Sequence, residues 1–274
     1  MRKLIALAIC CICVPISSAY QEPNNLPASV KRWTFGIGPE IYSFTYKEPG
    51  LMKDKGMFYG VAGAYTYRGW IPESPEQPLK DDKWMFGLEG RFAYGKVDYD
   101  GALWDGTPYN MDNIDDITAE FRMLLGPDFP KKNGLDTIYS GIGFRYLNDD
   151  GSKDPAGYDR ESTYCYIPVG LRADRLLKNG WSFGATGEFD IFLVGEQKSH
   201  LSDIGLIDIE NRQTSGYGLR GSVRFEKKCD KSSFKIEPFI RYWKIAESED
   251  DEFELGVEPK NNTTEYGIQF IWTF

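Results

Sequence analysis

The chain has 274 residues, 41% hydrophobic and 15% aromatic, with 32 Lys and Arg against 41 Asp and Glu and a formal net charge of −9. This acidic balance excludes nucleic acid as a natural partner, because neutralising phosphates requires clustered Lys and Arg. Abundant aromatics and Gly, with no Pro/Ser-rich linker or low-complexity tract, argue for one structured domain.

Residues 1–19 open on Arg2 and Lys3, run apolar from Leu4 to Ile16 and close on Ser17, Ser18 and Ala19, the three parts of a cleaved secretory signal peptide. The apolar run falls short of the ~20 residues that a membrane-spanning helix needs. Cys10, Cys11 and Cys13 lie within it, but the bulky Ile9 and Ile12 precede two of them, so lipidation is not expected. Cleavage makes the exported chain more acidic by two charges. It leaves Cys165 and Cys229, expected as free thiols on an outward strand face and in a turn. Residues 20–31 are expected to form a short periplasmic segment ahead of a folded domain spanning 32–274.

After the leader no apolar run is long enough for a transmembrane helix, so a membrane location would require a closed barrel. The dominant signal is a period of two, the mark of strands with one apolar face. A less regular stretch at 33–46 is followed by clear alternation at 59–68. Next come Trp84, Phe86, Leu88, Phe92 and Tyr94 against Gly87, Glu89, Arg91 and Gly95. The pattern recurs at 117–125, 142–146, 165–172, 183–193, 217–225, 236–242 and 265–274, which makes about ten strands. Between them lie segments rich in Gly, Pro, Asn, Asp and Lys at 47–55, 69–83, 100–110, 126–136, 148–161, 175–180, 195–213, 227–233 and 246–262. With both termini periplasmic, five of these are external loops and four are periplasmic turns, although 69–83 is long for such a turn.

A soluble sandwich also alternates, so the polar face decides. Its charges are mostly Arg, Glu and Asp: Glu89, Arg91, Glu120, Arg122, Arg145, Arg172, Glu188, Asp190, Arg220, Arg224, Glu237, Arg241 and Glu265. Arg suits paired carboxylates where water is scarce, whereas a solvated face would carry more Lys. Glycines such as Gly143, Gly170, Gly184 and Gly218 share that face and are expected to make room for the Arg side chains. On the apolar face, Trp84, Tyr94, Tyr146, Tyr217, Tyr242 and Trp272 lie near strand ends, as in interfacial girdles. These features point to an all-β, single antiparallel transmembrane barrel with a lumen closed by ion pairs.

The last ten residues, with Tyr266, Ile268, Phe270, Trp272 and a terminal Phe274, resemble the C-terminal assembly signal of outer-membrane proteins. The whole chain resembles the superfamily of small outer-membrane β-barrels that includes the OmpA-type barrels, and the run Tyr164-Cys165-Tyr166-Ile167-Pro168-Val169-Gly170-Leu171 is similar to their strands. The resemblance implies a Gram-negative outer-membrane location, contact with membrane lipids and lipopolysaccharide, and insertion by the barrel-assembly machinery. It assigns no activity.

His200-Leu201-Ser202 is loosely similar to the His-x-Ser arrangement of outer-membrane lipid A deacylases, with Asp203 or Glu210 as a carboxylate, but the set is incomplete. The acidic stretches 148–154 and 247–252 match no complete calcium loop. No cofactor, metal or catalytic residue is therefore expected. The reading is a non-enzymatic barrel with a structural or surface-interaction role, the alternative being a narrow porin-like channel.

Overall fold

The computed structural model describes residues 32–69, 83–103, 105–229, 232–249 and 256–274. The expected signal peptide, the segment 20–31 and most of the connection 69–83 lie outside the described residues. The strands are β1 (Trp33–Glu48), β2 (Met52–Gly69), β3 (Lys83–Ala102), β4 (Pro108–Lys131), β5 (Gly134–Asp150), β6 (Asp159–Leu176), β7 (Trp181–Ser199), β8 (Ile209–Gln213), β9 (Gly216–Lys228), β10 (Ser233–Ile245) and β11 (Asn261–Thr273).

Every pairing is antiparallel. β1 pairs with both β2 and β11, and β7 with both β6 and β9, so ten strands close into a ring with no free edge. β8 stands outside the ring and pairs only with residues 195–199 of β7, extending the rim.

The strands change polarity along their length. On β1, Trp33, Phe35 and Ile37 point out and are exposed, while Thr34, Gly36, Gly38 and Glu40 point in. Beyond Ile41 the faces swap: Tyr42, Phe44 and Tyr46 are buried inside and Ser43, Thr45 and Lys47 lie outside. On β3, outward Phe92 and Tyr94 give way to Lys96 and Asp98, while inward Arg91 gives way to Ala93 and Val97. Where lipid surrounds the barrel, apolar groups face out; where water surrounds it, burial drives them in. The outward apolar band spans about nine residues on β1, the length a tilted transmembrane strand needs.

Both edges of this band carry aromatics. Trp33, Trp181 and Trp272 mark the edge nearest the start of β1 and the end of β11, and Tyr59, Tyr94 and Tyr266 mark the opposite edge. The expected assembly-signal residues Tyr266, Ile268, Phe270 and Trp272 all take the outward face of β11, and the Phe274 N–H closes onto the Phe35 carbonyl at 2.9 Å.

Strands that run on past the apolar band replace most of two expected loops and one expected turn. The connections shrink to residues 49–51, 103–107 and 132–133, and β4 reaches 24 residues. For the first two, the projecting strands are held by an internal apolar cluster of Tyr42, Phe44, Tyr46, Met52, Phe58, Val97 and Ile114. For the third, Asp128 faces inward and receives Arg68 Nη1 at 2.5 Å, which keeps β4 in the sheet past Pro127. Cys165 is half-buried on the outer face of β6 and Cys229 is exposed after β9; both are free thiols.

Candidate functional site

The lumen is stratified. At mid-height, six guanidinium groups (Arg91, Arg122, Arg145, Arg172, Arg220 and Arg241) and six carboxylates (Glu40, Glu89, Glu120, Glu188, Asp190 and Glu265) form one connected layer. Glu265 on β11 receives Arg91 at 2.9 Å, Arg145 at 3.1 Å and Arg241 at 3.1 Å. Arg220 on β9 reaches across to Glu120 at 2.5 Å and holds Asp190 at 2.6 Å and Glu188 at 3.2 Å. Arg122 pairs with Glu188 and with Glu89, and Arg172 closes on Glu89 at 3.0 Å. Equal numbers of opposite charges, all paired, limit the cost of burying them.

All thirteen charged residues singled out from the sequence point into the lumen. Arg224 and Glu237 belong to a smaller group nearer the termini, with Asp174 and Lys235. The alternation did not reveal Glu40, Asp174 or the Arg68–Asp128 pair. Asp174 was within reach, two residues beyond Arg172 on the same face; Glu40 was hidden beside Pro39 in the strand whose polarity inverts.

Tyrosines complete the layer. Tyr166 donates to Glu120 and Tyr139 to Glu188, each at 2.6 Å. Their rings lie over glycines: a Cβ on Gly143 would stand 2.2 Å from Tyr166 Cζ, and one on Gly170 2.4 Å from Tyr139 Cζ. The expectation that inward glycines accommodate Arg holds for Gly184, beside Arg224, but Gly143 and Gly170 accommodate aromatic rings. Toward the end where β1 meets β2, a cap of Tyr164, Tyr166, Phe192, Trp243 and Ile245 covers the ion pairs, with Arg145 and Arg220 stacked against Trp243 at 5.9 and 5.6 Å. On the side nearer the start of β1 and the end of β11 the lumen opens into a polar cavity of about 190 Å³, lined by members of the ionic layer itself, among them Arg91, Glu120 and Arg220, and bordered by Thr34, Arg224 and Thr273.

Above the membrane band lies a second polar chamber. Arg160 Nη2 donates to Glu48 at 2.6 Å, Glu258 at 3.1 Å and Tyr46 Oη at 3.2 Å. Burial and the Glu48 charge push the Glu258 carboxyl up to about 7. Asp54 and Asp116 are also held well above the usual carboxylate range, by burial and then by the neighbouring Asp149.

At the rim, His200 Nε2 lies 3.1 Å from Glu161 Oε1, and Nδ1 lies 3.8 Å from Asp208. Asp159 joins them, with one potential ligand atom from each of Asp159, Glu161 and His200 within 4.8 Å of the others. Neither expected carboxylate meets the histidine: Asp203 receives the Asp159 N–H at 3.0 Å and Glu210 sits on β8. Ser202 turns to Asp208, its N–H donating at 2.8 Å.

A closed antiparallel barrel with an apolar belt, aromatic edges and a polar lumen defines the outer-membrane β-barrel class. The sequence matches no family model and no curated protein. Among solved structures, the outer membrane protease OmpT of Escherichia coli superposes with a TM-score of 0.60 at 11% identity, over 88% of this chain and 96% of that one. The attachment invasion locus protein Ail of Yersinia pestis matches at TM-score 0.28 and 14% identity (88% and 99% covered), and the toluene transporter TodX of Pseudomonas putida at 0.33 and 8% (88% and 89%). The shared fold is that of outer-membrane barrels in general, not of the OmpA type in particular. The likeness to a protease corrects the expectation that the chain is not an enzyme: this barrel form carries catalysis in at least one protein, so the fold gives no ground for excluding it.

Proposed function

We propose that the protein is an outer-membrane barrel closed to solutes at mid-height, which acts at the cell surface through its projecting external end. The carrying observation is the twelve-member ionic layer roofed by the Trp243 cap; Arg145, Glu265 and Asp190 within it are at most 1% exposed. The lipid-facing belt and the outward Tyr266, Ile268, Phe270 and Trp272 of β11 support insertion by the barrel-assembly machinery, and the projecting strands support contact with lipopolysaccharide. Single-channel recording of the refolded mature chain in planar bilayers tests the reading. A folded, heat-modifiable barrel with no conductance steps supports it; reproducible, salt-proportional steps would replace it with a narrow channel whose selectivity is set by the same Arg and Glu residues.

One observation favours a second reading, hydrolysis at the rim: the chain's single histidine is held between Glu161 and Asp208 at the water-facing end of a fold that also carries a protease. Assaying peptide and lipopolysaccharide turnover in the wild type and in His200→Ala decides it; turnover unchanged by the substitution, or absent, removes this reading.

A further inference from the structure

We propose that Asp159, Glu161 and His200 form a site for a divalent transition metal of the zinc type on the outer wall of the rim, three protein ligands with solvent completing the coordination. Asp159 and Glu161 are alternate residues of β6 and share its outer face; the intervening Arg160 turns inward to Glu48 and Glu258. His200 follows β7, and its N–H closes on the Asp159 carbonyl at 2.9 Å, so the strand ladder itself brings the imidazole beside both carboxylates. The site lies outside the lumen and does not depend on whether the barrel conducts. It also gives His200 a role other than that of a general base.

The donor set fits such an ion. His200 Nε2 stands 3.1 Å from Glu161 Oε1, close to the roughly 3.3 Å that separates two ligands of a tetrahedral zinc, and the Asp159 ligand atom lies within 4.8 Å of both. One imidazole with two carboxylates suits zinc or its neighbours rather than Ca²⁺ or Mg²⁺, which take oxygen alone. The groups behind the ligands are of the kind that orient metal-binding side chains. Asp208 Oδ2 faces His200 Nδ1 at 3.8 Å, which favours the tautomer with Nε2 open to an ion, and the Ser202 N–H holds Asp208 Oδ1 at 2.8 Å. Asn148 Nδ2 donates to Asp159 Oδ1 at 2.5 Å and fixes that carboxylate. The neighbouring cation in the register is Lys198, opposite both Glu161 and Glu210, so with Asp208 the cluster carries more negative charge than Lys198 offsets. The His200 side chain is 23% exposed, and an ion reaches it directly from water.

The test titrates the untagged mature chain carrying Cys229→Ser, refolded in detergent free of lipopolysaccharide, with Zn²⁺ in competition with a chromophoric chelator at neutral pH. The expected result is one ion per chain. Affinity should fall by roughly 10–100-fold in Asp208→Asn, which removes the orienting carboxylate, and further in His200→Ala and Glu161→Gln. Heat-modifiable migration checks that each variant is folded; all three positions lie outside the ionic layer. Co²⁺ gives a second readout: visible d–d bands in the parent chain that disappear in His200→Ala and are displaced by Zn²⁺ but not by excess Ca²⁺. No saturable uptake would overturn the proposal and leave a plain hydrogen bond between His200 and Glu161. Uptake unchanged by His200→Ala and Glu161→Gln would overturn it too, by placing the ion elsewhere on the acidic rim.

Discussion

Arg145 on β5 donates through Nη2 to Glu265 Oε1 on β11 at 3.1 Å, across the lumen rather than between neighbouring strands, and both side chains are 1% exposed. The contact shows how the barrel is braced: strands with no backbone pairing are joined through charge.

The bracing is asymmetric, which makes it testable. Glu265 serves Arg91, Arg145 and Arg241, whereas Arg145 has Glu265 as its carboxylate partner. Glu265→Gln should therefore destabilise the barrel more than Arg145→Met, by about 3–5 kcal/mol against less than that, because it leaves three guanidinium groups under-compensated. Urea unfolding in lipid vesicles, followed by Trp fluorescence, measures both. Equal losses would contradict the shared-acceptor geometry.

Gly143 is expected to tolerate no side chain. The Tyr166 ring occupies the space of its missing Cβ, and Tyr166 also donates to Glu120, so Gly143→Ala should cost about 1–3 kcal/mol and displace that hydroxyl. Gly187, with nothing within 4 Å of a built Cβ, is the internal comparison; Gly187→Ala should be nearly silent in the same assay.

The external chamber predicts a pH dependence. Glu258 lies near 7 in the folded protein against an ordinary value of 4.5, so the folded state holds a proton that the unfolded chain releases. Its favourable contribution is complete below about pH 4.5 and is lost as the pH rises through 7, in the direction that the raised Asp54 and Asp116 reinforce. In chelator, the unfolding midpoint should fall between pH 5 and 8, and Glu258→Gln should flatten part of that slope. A midpoint that rises over this range would show the carboxyls to be stabilised as anions.

The polarity inversion on β1 sets the membrane boundary between Ile41 and Thr45. Ile37→Arg places a charge within the apolar band and should cost about 2–4 kcal/mol, with slower assembly into vesicles. Thr45→Arg, on the same face of the same strand, should be close to neutral. Folding yield by heat-modifiable gel migration compares them; similar yields would move the boundary.

Much of this architecture was legible in the residues. Alternation over 84–95, 165–172 and 217–225 requires strands with two unlike faces, and the choice of Arg over Lys on the polar face of those strands marks an enclosed, ion-paired interior. The inward orientation of Arg91, Glu120 and Arg220 follows from period alone. That alternation became unreadable where the surrounding solvent changed. The irregularity of residues 33–46 is the swap from lipid to water outside a continuous strand, and a reading based on one apolar face treats such a swap as a break. Turn-rich composition at 47–55 and 126–136 likewise looked like loop, although the backbone continues through most of both.

What the sequence by itself determined is the local rule: which residues share a face, which ends carry aromatics, and that a strand-built chain with an apolar outer band must close on itself. Only the tertiary structure decided which charges meet. Arg145 and Glu265 are 120 positions apart, and Asp54, Asp116 and Asp149 come from three different strands. Pairing across a lumen depends on strand number, tilt and register around the whole ring, quantities that no single strand encodes.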